Sequence, residues 1–147
     1  MSNNKGILGF EKGKTLATVT WHSGSFPLKI TRIWVSTQYE SISLQGMTGC
    51  DGDSGFIVDI WFPKAGIGEK EHTMGCGETA PAGGYMGSFV IPRSGYATKG
   101  KISGAIWNPE TGSYEASFEF TVETEDGDEV TVTEGFVSID DLRPYLK

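Results

Sequence analysis

From Tyr114 to Glu123 the side chains alternate without a break. Tyr114, Ala116, Phe118, Phe120 and Val122 are apolar, while Glu115, Ser117, Glu119, Thr121 and Glu123 are polar or charged. Period two marks a strand with one face on a core and the other toward water. The same alternation discriminates between turns. A two-residue Asp126-Gly127 turn would set Val122 opposite Thr131 and leave Val130 and Val132 exposed. A three-residue loop, Glu125-Asp126-Gly127, sets Val122 opposite Val130 and Phe120 opposite Val132, and puts Gly127 at the left-handed position that such loops require. The three-residue loop is therefore predicted.

Other strands are read the same way. Thr15–Trp21 alternates Ala17, Val19 and Trp21 against Thr18 and Thr20. In Leu28–Val35 the apolar phase switches from Leu28 and Ile30 to Ile33 and Val35, which predicts a bulge near Thr31–Arg32 or burial on both faces. A weaker strand covers Tyr39–Leu44. Phe56–Phe62 is nearly all apolar and reads as a central strand. Pro63–Gly84 is Gly-rich with little periodicity, the longest loop candidate. Tyr85–Ile91 is a strand stopped by Pro92, and Asn108–Gly112 is the turn joining Lys101–Trp107 to Ser113–Thr124. Ser138 is placed to cap a short helical turn over the tail. With no long helical pattern and about eight strands, residues 1–147 predict a single all-β domain, an antiparallel β-sandwich or small β-barrel.

Composition supports this reading. A chain of 147 residues suits one core, and 21 Gly provide for many tight turns. The net charge of −7 is uneven. Residues 1–101 sum to +2, and residues 102–147 to −9, with neither Lys nor Arg between Lys101 and Arg143. Such a surface repels phosphate backbones, so nucleic acid is not an expected partner. The apolar stretch Ile7-Leu8-Gly9-Phe10 is too short for a signal-peptide core, and no run approaches transmembrane length. As written, the chain reads as soluble and cytoplasmic, without a membrane partner and with Cys50 and Cys76 as reduced thiols. If a leader had been removed it would be exported, and the two cysteines could pair.

The segment Cys50-Asp51-Gly52-Asp53-Ser54-Gly55 matches the Cys-x-Gly-Asp-Ser-Gly stretch of chymotrypsin-like serine proteases, in which the Ser is the nucleophile. The match ends there. Phe56 and Ile57 follow where Gly-Pro is usual, only His22 precedes Ser54, and 53 residues cannot build the preceding barrel. The preferred reading is a turn built from Gly49, Gly52 and Gly55. A calcium reading uses Asp51 and Asp53 with the Ser54 hydroxyl as hard oxygen ligands, although the EF-hand pattern is incomplete. No other cofactor is implied. Cys50, His72 and Cys76 would make three zinc ligands, but with one close pair and no fourth ligand.

Two further features carry chemistry. Trp61 shares a strand face with Asp59, opposite Phe56, Val58, Ile60 and Phe62. An aromatic beside a carboxylate can stack on a sugar ring, while cover on both strand faces would make Trp61 simply core. Glu115, Glu119 and Glu123 form an acidic stripe, read as protection of a sheet edge or as a surface for a basic partner.

The run from Gly104 through Phe118-Glu119-Phe120-Thr121-Val122, Asp126-Gly127 and Val130–Phe136 is similar to the end of uncharacterised bacterial all-β domains of the small-lipoprotein type. The likeness implies a β fold and no activity, and the chain lacks their lipid-acceptor Cys near its start. Taken together, these features point to a non-catalytic binding domain for a protein or carbohydrate ligand. Its site is expected where loop 49–55 meets loop 63–84, with Asp51, Asp53, Ser54, Trp61 and His72 as ligand-binding residues. A metal-stabilised domain, holding calcium through Asp51 and Asp53 or else zinc, is the alternative, and a hydrolase using Ser54 is a remoter one.

Overall fold

A computed structural model describes residues 7–22, 24–38, 40–48, 55–88, 93–123 and 127–146, with backbone alone at 7 and 8. Among the described residues nine strands are formed: β1 (Ile7–Trp21), β2 (Gly24–Gln38), β3 (Ser41–Met47), β4 (Phe56–Pro63), β5 (His72–Met74), β6 (Gly83–Ser88), β7 (Gly95–Trp107), β8 (Tyr114–Glu123) and β9 (Glu129–Ile139). All neighbours pair antiparallel in the order β5-β7-β6-β4-β3-β2-β1-β9-β8, and β7 also pairs with β8. Eight strands therefore meander up and down and close into a barrel, with β5 added alongside β7. The alternatives left open by the sequence resolve to the barrel.

Closure needs long, bent strands, and the bends are visible as slips in register. On β2 both Thr31 and Arg32 face outward, between inward Ile30 and inward Ile33. Pairing with β1 slips at the same place, between Lys12↔Arg32 and Thr15↔Ile30. That is the predicted phase switch. A second slip lies on β9, where Glu134 takes φ 53° and the inward set changes from Val130 and Val132 to Val137 and Ile139. The β8–β9 hairpin has the expected register, with Val122↔Val130 and Phe120↔Val132, and Gly127 has φ 86°. Residues 124–126 of its loop lie outside the described residues.

An eight-stranded barrel is just wide enough for side chains to fill it. Here Phe56, Phe62, Met86, Phe118 and Phe120 belong to the buried cluster inside, and Phe62 stacks between 5.1 and 5.2 Å from the rings of His72 and Tyr114. At the lower end, where β9 finishes, Leu142 and Tyr145 are buried, and the Tyr145 hydroxyl donates to Glu11 at 2.8 Å. The tail does form a helical turn, but over Arg143–Tyr145, five residues beyond the predicted cap. Ser138 is still in β9, paired with Lys14 and Glu115, and it is the Asp141 carboxylate that accepts from the Arg143 backbone N–H at 2.9 Å. At the upper end Asp128 accepts from the Arg93 guanidinium at 2.8 Å and contacts His22 at 3.4 Å, tying two loops and the β1 terminus together. The Arg93 bond holds the Asp128 carboxyl below its ordinary pKa.

Barrel closure also corrects one reading of the acidic stripe. Glu119 and Glu123 are exposed and Glu115 is half-buried on the outer face, but β8 is paired with both β7 and β9. The stripe cannot protect a sheet edge, and Glu119 stands directly across from Lys101.

Candidate functional site

Asp59 interrupts the apolar run of β4. Phe56, Val58, Ile60 and Phe62 point into the barrel, so period two sends Ile57, Asp59 and Trp61 outward. On an ordinary barrel wall these three would meet water. Here the chain after β4 turns back over the wall. It passes a 3-10 turn at Lys64–Gly66, adds β5 beside β7, and lays residues 75–82 across the outer face. Gly75 N–H donates to the Ala82 carbonyl at 2.8 Å and Gly77 N–H to the Ala97 carbonyl at 3.2 Å. The Trp61 indole N–H donates to the Ala80 carbonyl at 2.9 Å, so the ring is pinned under this segment and only 9% exposed. The long loop read from the sequence is thus the roof of a site.

Gly83 makes room for that ring. It lies directly across from Trp61 in the β4–β6 ladder, and a Cβ there would overlap the indole at Cζ2. Gly83→Ala should swing the ring out and break the Ala80 bond. The expected loss is about 1–2 kcal/mol of stability, with a red shift of Trp fluorescence. An unchanged emission spectrum would show that the indole does not rest on β6.

Between the roof and strands β2–β4 lies a cavity of about 420 Å³. Its floor is polar: Ser36 and Gln38 from β2, Ser41 and Ser43 from β3, and Asp59 from β4. Trp61 and Tyr96 supply its aromatic side, and Glu78 to Pro81 its rim. Ser43 donates to the Asp59 carboxylate at 2.6 Å. Tyr96, 40% exposed, donates to Glu78 at 3.1 Å, and its ring meets Trp61 edge-on at 6.1 Å and Tyr85 at 5.0 Å.

Burial pushes the Asp59 carboxyl up to about 7, against the lowering effect of the Ser43 bond. Near neutrality the group therefore exists in both forms, and it can donate or accept at the cavity floor. The Tyr96 hydroxyl is raised first by desolvation, then by its bond to Glu78 and by the negative charges nearby, Asp59 included. It stays a neutral donor at ordinary pH.

Of the residues singled out from the sequence, Trp61 lines this cavity. His72 does not. It is 7% exposed, stacked on Phe62 at the lower end of β4, with Nδ1 3.8 Å from Glu69. Asp51, Asp53 and Ser54 lie outside the described residues. The flanking residues Thr48 and Gly55 sit at the upper end, closed by the Thr48 N–H bond to the Phe56 carbonyl at 2.9 Å. From Gly55 to Phe62 is seven residues of extended chain, about 23 Å, so His72, stacked on Phe62, lies at the end of β4 away from Gly55. Among the described residues, no three His, Cys, Asp or Glu side chains are grouped to hold a metal ion. Cys76 is exposed, and Cys50 lies outside the described residues.

No family model matches the chain, and neither a curated protein nor a solved structure matches it. The functional reading therefore rests on the geometry of the cavity. Asp59, Ser43, Glu78 and Tyr96 were not singled out together by the sequence. The available signal was one acidic residue inside an otherwise apolar strand.

Proposed function

We propose that the domain is a non-catalytic carbohydrate-binding module whose ligand enters the wall cavity through its open side. The observation that carries this reading is a floor of hydroxyl, amide and carboxyl groups beside the exposed ring of Tyr96, in a cavity of about 420 Å³. Pockets of this size take small molecules, with a few placed polar groups setting orientation. A sugar presents hydroxyls on its edges and C–H groups on its faces. The edges suit Ser43, Gln38 and Asp59, and a face suits Tyr96. Trp61 serves by shape rather than by stacking, because it is covered and its N–H is already used.

The test is calorimetric titration of the full chain with neutral disaccharides: cellobiose, maltose, xylobiose and diacetylchitobiose. At least one should bind, and Tyr96→Ala should weaken it about tenfold or more. Failure of all four to bind at millimolar concentration, or equal affinity in the variant, would remove the reading.

A further inference from the structure

The cavity is one part of a longer arrangement on the barrel wall. Phe10 on β1 pairs with Trp34 on β2, Trp34 with Gln45 on β3, Gln45 with Asp59 on β4, Asp59 with Tyr85 on β6, and Tyr85 with Tyr96 on β7. Partners in an antiparallel ladder share a face, so these six side chains form one outward row running across the strands. The row is aromatic at both ends and polar in the middle. Phe10 is 42% exposed and held edge-on against Trp34, with ring centroids 4.1 Å apart, and the Arg32 guanidinium packs 3.9 Å from the Phe10 ring.

We infer that this row is a binding track for an unbranched neutral glycan several units long, laid across the strands, with Tyr96 and Tyr85 under one end and Trp34 and Phe10 under the other. The inference rests on the carbohydrate reading of the cavity and extends it to a ligand class. Strands are spaced by about 4.8 Å, so four steps from Trp34 to Tyr96 span about 19 Å. That length exceeds a disaccharide and suits a chain of several pyranose units, since one strand step is close to one sugar unit. The two aromatic ends would meet ring faces, and Gln45 and Asp59 would meet hydroxyl edges between them. Charge selects the class. Asp59 and Glu78 stand at the cavity, which disfavours uronate units there and leaves neutral ones.

The experiment compares chain lengths. Calorimetry on the full chain uses the dimer, trimer and pentamer of the cello, malto, xylo and acetylated chito series, with pentagalacturonate as the anionic probe. In the series that binds, the pentamer should bind at least about tenfold tighter than the dimer, and pentagalacturonate should not compete. Trp34→Ala should abolish the gain from dimer to pentamer while leaving dimer affinity unchanged. Phe10→Ala, at a more exposed position, should reduce the same gain and guards against loss of folding in the Trp34 variant. A pentamer that binds no tighter than its dimer, or a length gain that survives both substitutions, overturns the track and leaves the cavity reading standing. Absence of binding by every length overturns both.

Discussion

Replacing Asp59 by Asn should stabilise the protein at about pH 8 relative to about pH 4, by about 2 kcal/mol on the difference between variant and parent. Burial lifts the folded Asp59 carboxyl to about 7, above the ordinary aspartate value of 3.8. Between those values the folded chain holds a proton that the unfolded chain has released. Stability therefore falls as pH rises from about 4 to about 7, and is flat above that. The full shift corresponds to about 4 kcal/mol; we take roughly half, because the carboxyl borders an open cavity and water screens its charge. Asn keeps the oxygen that accepts from Ser43 and has no charge to bury. The measurement is the melting temperature of both proteins across this pH range. About 3–4 °C per kcal/mol at this length gives a relative rise of about 7 °C. A constant offset at every pH would show that Asp59 ionises normally and that the cavity floor is wet.

This effect bears on function. A carboxyl that weakens the fold whenever it is charged has no value to packing, and Asn or Ser would fill the position at lower cost. Groups kept against stability are concentrated where binding or chemistry requires them. Asp59 therefore ties the stability argument to the carbohydrate reading through one side chain.

The sequence disclosed local features and missed assembled ones. The β8–β9 hairpin was legible because Tyr114–Val122 alternates cleanly and only one loop length keeps Val130 and Val132 on the same side. The switch between Ile30 and Ile33 was legible for the same reason. The comparable switch on β9, from Val132 to Val137, was equally present in the sequence, but it is read only if the strand is followed past Glu134. β1 runs from Ile7 in the structure, but from Thr15 in the sequence reading, because Lys12, Gly13 and Lys14 interrupt the apolar phase before β2 and β9 pair with that segment. The Ser138 cap failed because ladder bonds from both β1 and β8 outweigh one local side-chain bond. The wall row could not be read at all. Its members lie between positions 10 and 96, and only the registers of five strand pairs bring them into line.

Gly135→Ala should be a strongly damaging small substitution on the barrel, costing about 3 kcal/mol or more and lowering the melting temperature by about 10 °C. Gly135 follows Glu134, whose left-handed backbone inserts the extra residue of β9, and it pairs with Phe118. A Cβ there would overlap the Phe118 carbonyl oxygen and lie 2.5 Å from Cδ1 of its ring. Flexible side chains can yield to such a contact, but this one is with backbone. β8 cannot retreat, because β7 pairs along its other edge with Ile102 opposite Phe118. The ring cannot retreat either, since Phe118 is 3% exposed inside the packed barrel. The control is Gly68→Ala, where a Cβ would meet nothing within 4 Å and the change should stay within about 1 kcal/mol, more often stabilising. If both variants melt with the parent, β9 has no bulge at Glu134. Its two halves would then present Val130 and Val137 to opposite faces, and the barrel could not close on β1 in the register described.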